Sequence, residues 1–261
     1  MTPEPAKPAR TGRWRALLAR REGALALLLL LVVCGVSAIN PAFATATNLR
    51  DLAVNAAPVL IVACGMMLVM VAGEIDISVG SLLGLLGALV GALASPAHAG
   101  WPLPATVAVV LLAGAAVGAL NGVLVAIAGI PSIVVTLGML TVLRAATEWL
   151  MAGEWITDLP ASLRLLGTGT LAGVPICVCA AAAVTAGTAL LTQHTAAGRR
   201  VFAVGSNPRA AALHGVSVVR TKLFVFTLTG TLTGLATYAP LVSLVSTMTV
   251  GVTPTAPILK A

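Results

Sequence analysis

Apolar windows close to the length of a membrane crossing recur along this chain from residue 23 to residue 248. A helical span needs about 20 mostly apolar residues. The windows run from Gly23 to Ile39, Pro58 to Ala72, Ser78 to Ala94, Ala105 to Gly129, Ile133 to Leu150, Val174 to Thr192 and Leu223 to Met248. Backbone inside lipid must satisfy its own hydrogen bonds, so the expected fold class is an all-α, polytopic transmembrane helix bundle of about seven spans. Composition agrees. Of 261 residues 59% are hydrophobic and 9% charged, against about 45–50% and about 25% in a soluble domain, which excludes a cytosolic enzyme. With aromatics at 3%, the apolar mass is small and aliphatic, suited to helices that pack closely in lipid.

The formal charge of +7 could suggest nucleic acid, but the basic residues flank apolar runs and lack interleaved aromatics, so no nucleic-acid partner is expected. They read instead as topology signals, because Lys and Arg gather on the cytoplasmic side of short loops. Residues 1–22 carry Lys7, Arg10, Arg13, Arg15, Arg20 and Arg21, and residues 193–222 carry Arg199, Arg200, Arg209, Arg220 and Lys222 with no acidic residue. Both are expected inside the cell. The segment from Gly153 to Gly173, with Glu154, Asp158 and Arg164, is expected outside. One crossing per window from an inside N-terminus puts all three on their expected sides. The organisation is then a basic tail over 1–22, a membrane domain over 23–248 containing a cytoplasmic loop over 193–222, and a short tail over 249–261.

The first window, with its basic leader and the small residues of Ala42-Phe43-Ala44, shares features with a cleavable signal peptide. Its apolar run is longer than usual and six more windows follow, so a retained helix is expected. Cys34, Cys64, Cys177 and Cys179 all fall in apolar stretches and read as small core residues. Gly-x-x-x-Gly pairs at Gly80/Gly84, Gly87/Gly91, Gly114/Gly118, Gly118/Gly122 and Gly230/Gly234 predict tight helix contacts.

Few residues could carry chemistry. Glu74 and Asp76 lie between the second and third windows, and a carboxylate at membrane depth costs a few kcal/mol unless paired or hydrated. The segment Gly73-Glu74-Ile75-Asp76-Ile77-Ser78-Val79-Gly80-Ser81 has the parts of an interrupted helix, with Asp76 or Ser78 able to cap the next one. A plain cytoplasmic turn with Asp76 as its cap fits equally well. Arg144 and Glu148, four apart, would share a helix face and offset each other's burial. Asn121 reads as an interhelical hydrogen-bonding residue. His98, His194 and His214 fall in loops without a partner spaced for metal or nucleophile chemistry, so no catalytic residue and no metal site is assigned. In the basic loop, Asn207 can cap and Pro208 open a short helix that Gly215 ends. A helix so clearly started and stopped is shaped to dock on a cytoplasmic partner.

Three stretches, GEIDISVGS, NGVLVAIAGIPSIVVTLGML and GRRVFAVGSNPRAAALHGV, resemble the membrane permeases of the ribose, xylose, rhamnose and autoinducer-2 class of ATP-binding-cassette importers. The resemblance runs from about Asn48 to Thr247. Gly153-Glu154-Trp155-Ile156 and Leu159-Pro160 are most similar to the autoinducer-2 and rhamnose branches. It implies a bacterial inner-membrane protein importing a pentose, deoxyhexose or autoinducer-2. The implied partners are a second permease, same or different, two cytoplasmic ATPase subunits that bind ATP and magnesium, and an external sugar-binding protein. Arg209-Ala210-Ala211 with Gly215 fits the family's E-A-A-x-x-x-G coupling motif, with Arg209 where many permeases have Glu. No G-x-x-x-x-G-K-[ST] loop occurs in the chain, as expected if ATP is bound elsewhere. Alternating access would then couple Asn207 to Gly215 with the helices around Gly73 to Ser81.

Similar permeases continue past the seventh window with further helices. This sequence ends Pro254-Thr255-Ala256-Pro257-Ile258-Leu259-Lys260-Ala261, so the resemblance implies a shortened bundle and no import by this chain alone. Two rival functions fit the residues less well: an ion-coupled secondary transporter using Glu74 and Asp76, and a non-catalytic membrane scaffold.

Overall fold

The computed structural model describes residues 21–152, 159–160, 162–163 and 169–238. The basic tail through Arg20, the segment 153–158 with Glu154, Trp155 and Asp158, Arg164, and everything from residue 239 on, including the expected end of the last span, lie outside them. The described residues are predominantly helical, with one two-stranded ribbon, Thr170–Leu171 against Val174–Pro175.

The chain divides into two compact units, residues 1–52 and 53–261. In the first, α1 (Arg21–Ile39) is apolar all round, with Leu25 to Val33 almost continuously exposed, as suits a helix facing lipid. A 3₁₀ turn (Pro41–Ala44) follows, capped by Asn40, whose side chain accepts from the Ala42 amide at 3.1 Å. Ala42-Phe43-Ala44 therefore lies in this turn, and Asn48 Nδ2 donates to the Phe43 carbonyl at 2.8 Å as the next helix begins.

That helix, α2 (Ala46–Val71), has 26 residues, so the second window is not short. The expectation placed its start at Pro58. The proline is instead accommodated within the helix, and the polar turns before it, with Asn48, Arg50, Asp51 and Asn55, extend the helix beyond its apolar part. The helices that follow are α3 (Val79–Ala94), α4 (Leu103–Ala126), α5 (Ser132–Met151), α6 (Ile176–His194), α7 (Ala196–Ser206), α8 (Pro208–Leu213) and α9 (Val218–Ala236). Among the described residues, α2, α4, α5 and α6 are long and apolar enough to cross a membrane, while α3 and the Gly23–Ile39 part of α1 are shorter apolar helices.

Within the second unit, packing gives each helix a direction. A Cβ on Gly114 or Gly118 would overlap the carbonyl oxygens of Gly230 and Phe226, and one on Gly122 would lie 3.1 Å from Leu223 Cα. Position climbs along α4 as it falls along α9, so the two are antiparallel. Thr229 of α9 donates to the Gly65 carbonyl of α2 at 3.0 Å. Ala57 and Ile61 cluster with Leu232 and Ala236, while Leu68 and Val69 cluster with Val225 and Phe226. So α2 also opposes α9. Asn121 near the end of α4 meets Ser78 at the start of α3, making that pair antiparallel. The Gly-x-x-x-Gly expectation holds for α4 and α9; on α3 nothing lies within 4 Å of a Cβ added to Gly80 or Gly84, while one on Gly87 would meet Thr237 at 3.8 Å and Gly91 is buried.

Candidate functional site: a polar junction at one end of the bundle

Because helices consecutive in the chain alternate in direction, the second unit collects residues 72–78, 127–131 and 195–217 at one end. Residues 72–78 lie at the centre of this junction. Gly73 reverses the chain with φ +82, a conformation that glycine tolerates best. Since α2 and α3 are antiparallel, the break between Val71 and Val79 is a turn between two helices rather than an interruption within one. Its cap differs from both expectations. Ser78 holds the N-cap position without a side-chain cap bond, and Asp76 Oδ1 accepts from the Ser78 amide at 2.9 Å and from Ser78 Oγ at 2.6 Å.

Three further elements grip this turn. From α4, Asn121 Nδ2 donates to Ser78 Oγ at 3.0 Å, completing a relay from Asn121 through Ser78 to Asp76. Asp76, Ser78 and Asn121 are all almost fully buried, and Asn121 Oδ1 has no protein hydrogen-bond partner. From α5, Ser132 Oγ accepts from the Ile75 amide at 3.2 Å, and Thr136 Oγ1 donates to the Ser132 carbonyl at 2.8 Å and the Ile75 carbonyl at 3.4 Å. From α9, Lys222 forms an ion pair with Glu74, both side chains mostly buried.

The two carboxylates of the turn are thus treated differently. Glu74 has a cation, whereas Asp76 has only neutral donors. Asp76 lies outside both flanking helices, and burial pushes its carboxyl above the ordinary value, against the lowering pull of the Ser78 and Asn121 hydrogen bonds.

Next to the turn stands a helical pair. Thr195 caps α7 by accepting from the Gly198 amide at 3.1 Å. Gly198, Val201 and Val204 are its buried face, and Val201 joins Leu68, Val69 and Ala72 in one core cluster. At the end of α7 a Cβ on Gly205 would overlap the Val71 carbonyl, so α7 abuts the last turn of α2. Then α8 begins as the sequence predicts: Asn207 accepts from the Ala210 amide at 3.0 Å, Pro208 opens the helix, and Gly215 follows its end at φ +78. Arg209 and Ala210 are exposed, and Ala211 packs inward. Two features here escape the sequence reading. One is α7 itself, although its Thr195 cap and the apolar pair Val201 and Val204 could have signalled it. The other is Leu213, 89% exposed at the tip of α8.

The remaining candidates lie elsewhere. Gly80 is exposed and Ser81 half-buried on the first turn of α3, beyond the turn itself. Arg144 and Glu148 do pair within α5, at 3.8 Å, but both side chains are 76% exposed. The expectation of burial fails because α5 packs inward through Val135, Thr136 and Leu143, leaving the pair's face turned outward. His194 belongs to the last turn of α6 rather than to a loop.

These helices, alternating in direction with a capped polar pair at one end, define a multi-pass membrane helix bundle. The chain belongs to the family described as branched-chain amino acid transport system / permease component, which matches residues 48–257. It is 36% identical to the autoinducer 2 import system permease protein LsrC of Enterobacter sp. (strain 638), over 85% of this chain and 64% of that protein. It is 35% identical to the ribose import permease protein RbsC of Haemophilus influenzae, over 84% of this chain and 68% of the relative. For RbsC of Escherichia coli (strain K12) the figures are 34%, 85% and 69%. The chain therefore spans roughly two thirds of the length of the relatives it matches, and less than two thirds of the first. No solved structure gives a significant match. The family match gives no support to the ion-coupled or scaffold functions.

Proposed function

We propose that the chain acts as a permease subunit of an ATP-driven importer for a small sugar or sugar-like solute in a bacterial inner membrane, with the polar junction facing the cytoplasm. The observation that carries this reading is the seating of α7 and α8 on the turn at residues 72–78. Gly205 abuts the Val71 carbonyl and Lys222 holds Glu74, so a force applied to α8 reaches the start of α3 through backbone contact and a mostly buried ion pair. Five cations, Arg199, Arg200, Arg209, Arg220 and Lys222, gather at this end, which supports an inside location.

In this mechanism α8 is the docking element. Asn207 and Pro208 fix its start, Gly215 its end, Ala211 seats it, and Arg209 and Leu213 face the ATPase partner. ATP and magnesium are bound by that partner, and this chain performs no covalent chemistry. The turn formed by Gly73, Glu74, Asp76 and Ser78 passes the motion to α3, whose Gly80 and Ser81 sit on its exposed first turn. A second permease completes the solute path, and an external binding protein delivers the solute. Identity is nearly equal to the ribose and autoinducer 2 permeases, so the solute class is a small polyhydroxylated molecule.

Cysteine crosslinking tests the reading. In cells expressing the whole importer, Ala212→Cys should react with impermeant maleimide only after permeabilisation and crosslink to the ATPase subunit, and Leu213→Asp should abolish copurification of that subunit. Labelling of Ala212→Cys in intact cells would overturn the orientation and the proposed coupling together.

A further inference from the structure

Beside the docking helix lies a cavity of about 300 Å³, bounded by the first turns of α7, the link after α8 and the first two turns of α9. Arg200 and Arg220 line it together with Ser217, Thr221, Gly215 and Phe224. Neither arginine forms an ion pair with an acidic residue among the described residues. The hydroxyls on the wall are already oriented: Ser217 Oγ accepts from the Arg220 amide at 3.3 Å, and Thr221 Oγ1 donates to the Ser217 carbonyl at 2.9 Å. Ser217 thus keeps its own proton available for a ligand. Two arginines and a hydroxyl donor line one cavity, and none of the described residues lining it is acidic.

One turn further along α9 the lining differs in character. Phe224 stands one turn further along α9 than Arg220, toward the apolar part of the helix, and is partly exposed, as is Val219 nearby. Along α9 the lining therefore passes from basic Arg220 to aromatic Phe224 toward the apolar part of the helix. An anionic phospholipid has the same order, phosphate outermost and acyl chain below, and basic pockets at the ends of membrane helices suit such head groups. A purely acidic protein segment would use the arginines but leave the Phe224 wall without a counterpart.

We infer that this cavity is a binding site for the phosphate head group of an anionic phospholipid in the cytoplasmic leaflet, held by Arg200, Arg220 and Ser217. The site adjoins α8 through Gly215, so an occupying lipid would brace the docking helix against α9. This inference rests on the membrane embedding and orientation proposed above, but not on the transport cycle.

The test uses the full chain purified from membranes and reconstituted into phosphatidylcholine nanodiscs with a minor fraction of phosphatidylglycerol, then counts retained lipids by native mass spectrometry. Wild-type chain should retain phosphatidylglycerol in preference to phosphatidylcholine, and Arg200→Gln with Arg220→Gln should cut that retention about tenfold or more. Arg199→Gln removes equal charge outside the cavity and should leave retention unchanged, while the paired Lys substitutions should restore most of it. Carbonate-resistant insertion, scored for every variant, reports separately on the membrane reading. The inference is overturned if the double Gln variant keeps its phosphatidylglycerol, if inorganic phosphate displaces the lipid equally well, or if that variant loses the ATPase subunit with lipid retention intact. The last two results would assign the cavity to a free anion and to a protein partner.

Discussion

The seam between α4 and α9 and the turn at residues 72–78 hold the same bundle by opposite means. Along the seam Gly114, Gly118 and Gly230 let the two backbones touch, so attraction comes from many small dispersion contacts with no charge involved. At the turn, seven residues meet three neighbouring helices through one ion pair and a set of directed hydrogen bonds. The seam tolerates no added volume and the turn tolerates no lost partner. The proposed function would draw on both, one region that keeps its geometry and another whose bonds can be exchanged.

The contrast can be broken most severely at the ion pair. Glu74→Gln strands the mostly buried Lys222 ammonium and should cost about 3 kcal/mol, at the lower part of the range for such a loss. Lys222→Met added to it should recover most of that in a denaturant titration of the chain in detergent. A double variant as unstable as the single one would show that the charges are not coupled. Next in size, Gly230→Ala should cost about 1–3 kcal/mol by forcing α4 and α9 apart, read as a lowered melting temperature. Gly84→Ala, at a position of α3 that no neighbour approaches, serves as its contrast below.

Asp76→Ala should cost about 1–2 kcal/mol by leaving the Ser78 amide and hydroxyl without their acceptor. Asp76→Asn keeps an acceptor and removes the buried charge. Folding raises the Asp76 value above the ordinary one, so its contribution to stability is full below that ordinary value and fades as pH rises through the raised native value. The Asn variant, neutral throughout, should therefore lose this dependence and gain on wild type as pH increases. A constant difference between them across the range would mean that Asp76 does not titrate differently on folding. The smallest effect is expected from Gly84→Ala, a stabilisation of up to about 1 kcal/mol from helix propensity alone; destabilisation there would place a neighbour against Gly84.

Much of this bundle was legible before any coordinates. The windows fell on helices because lipid demands long apolar runs, four of them long enough to cross among the described residues, and Asn207, Pro208 and Gly215 delimited α8 because caps are local chemistry. The apolar window gave only the later part of α2, since its first turns, with Asn48, Arg50, Asp51 and Asn55, are polar. The seam was half legible: spacing flagged α3, α4 and α9 alike, but which glycines find a backbone opposite is a tertiary fact. The same holds for Lys222. Its sign was plain in the sequence, yet its partner lies 148 positions away at Glu74, beyond any local rule. Arg144 and Glu148 were paired correctly and buried wrongly, because spacing along one helix says nothing about what faces it.

Between Gly205 and the Val71 carbonyl there is no side chain to compress. Soft layers of rotatable groups absorb small displacements, and this contact has none. Any tilt of α7 must be answered at once by the final turn of α2 or by rupture of their packing, so signalling through this joint would be all-or-nothing rather than graded.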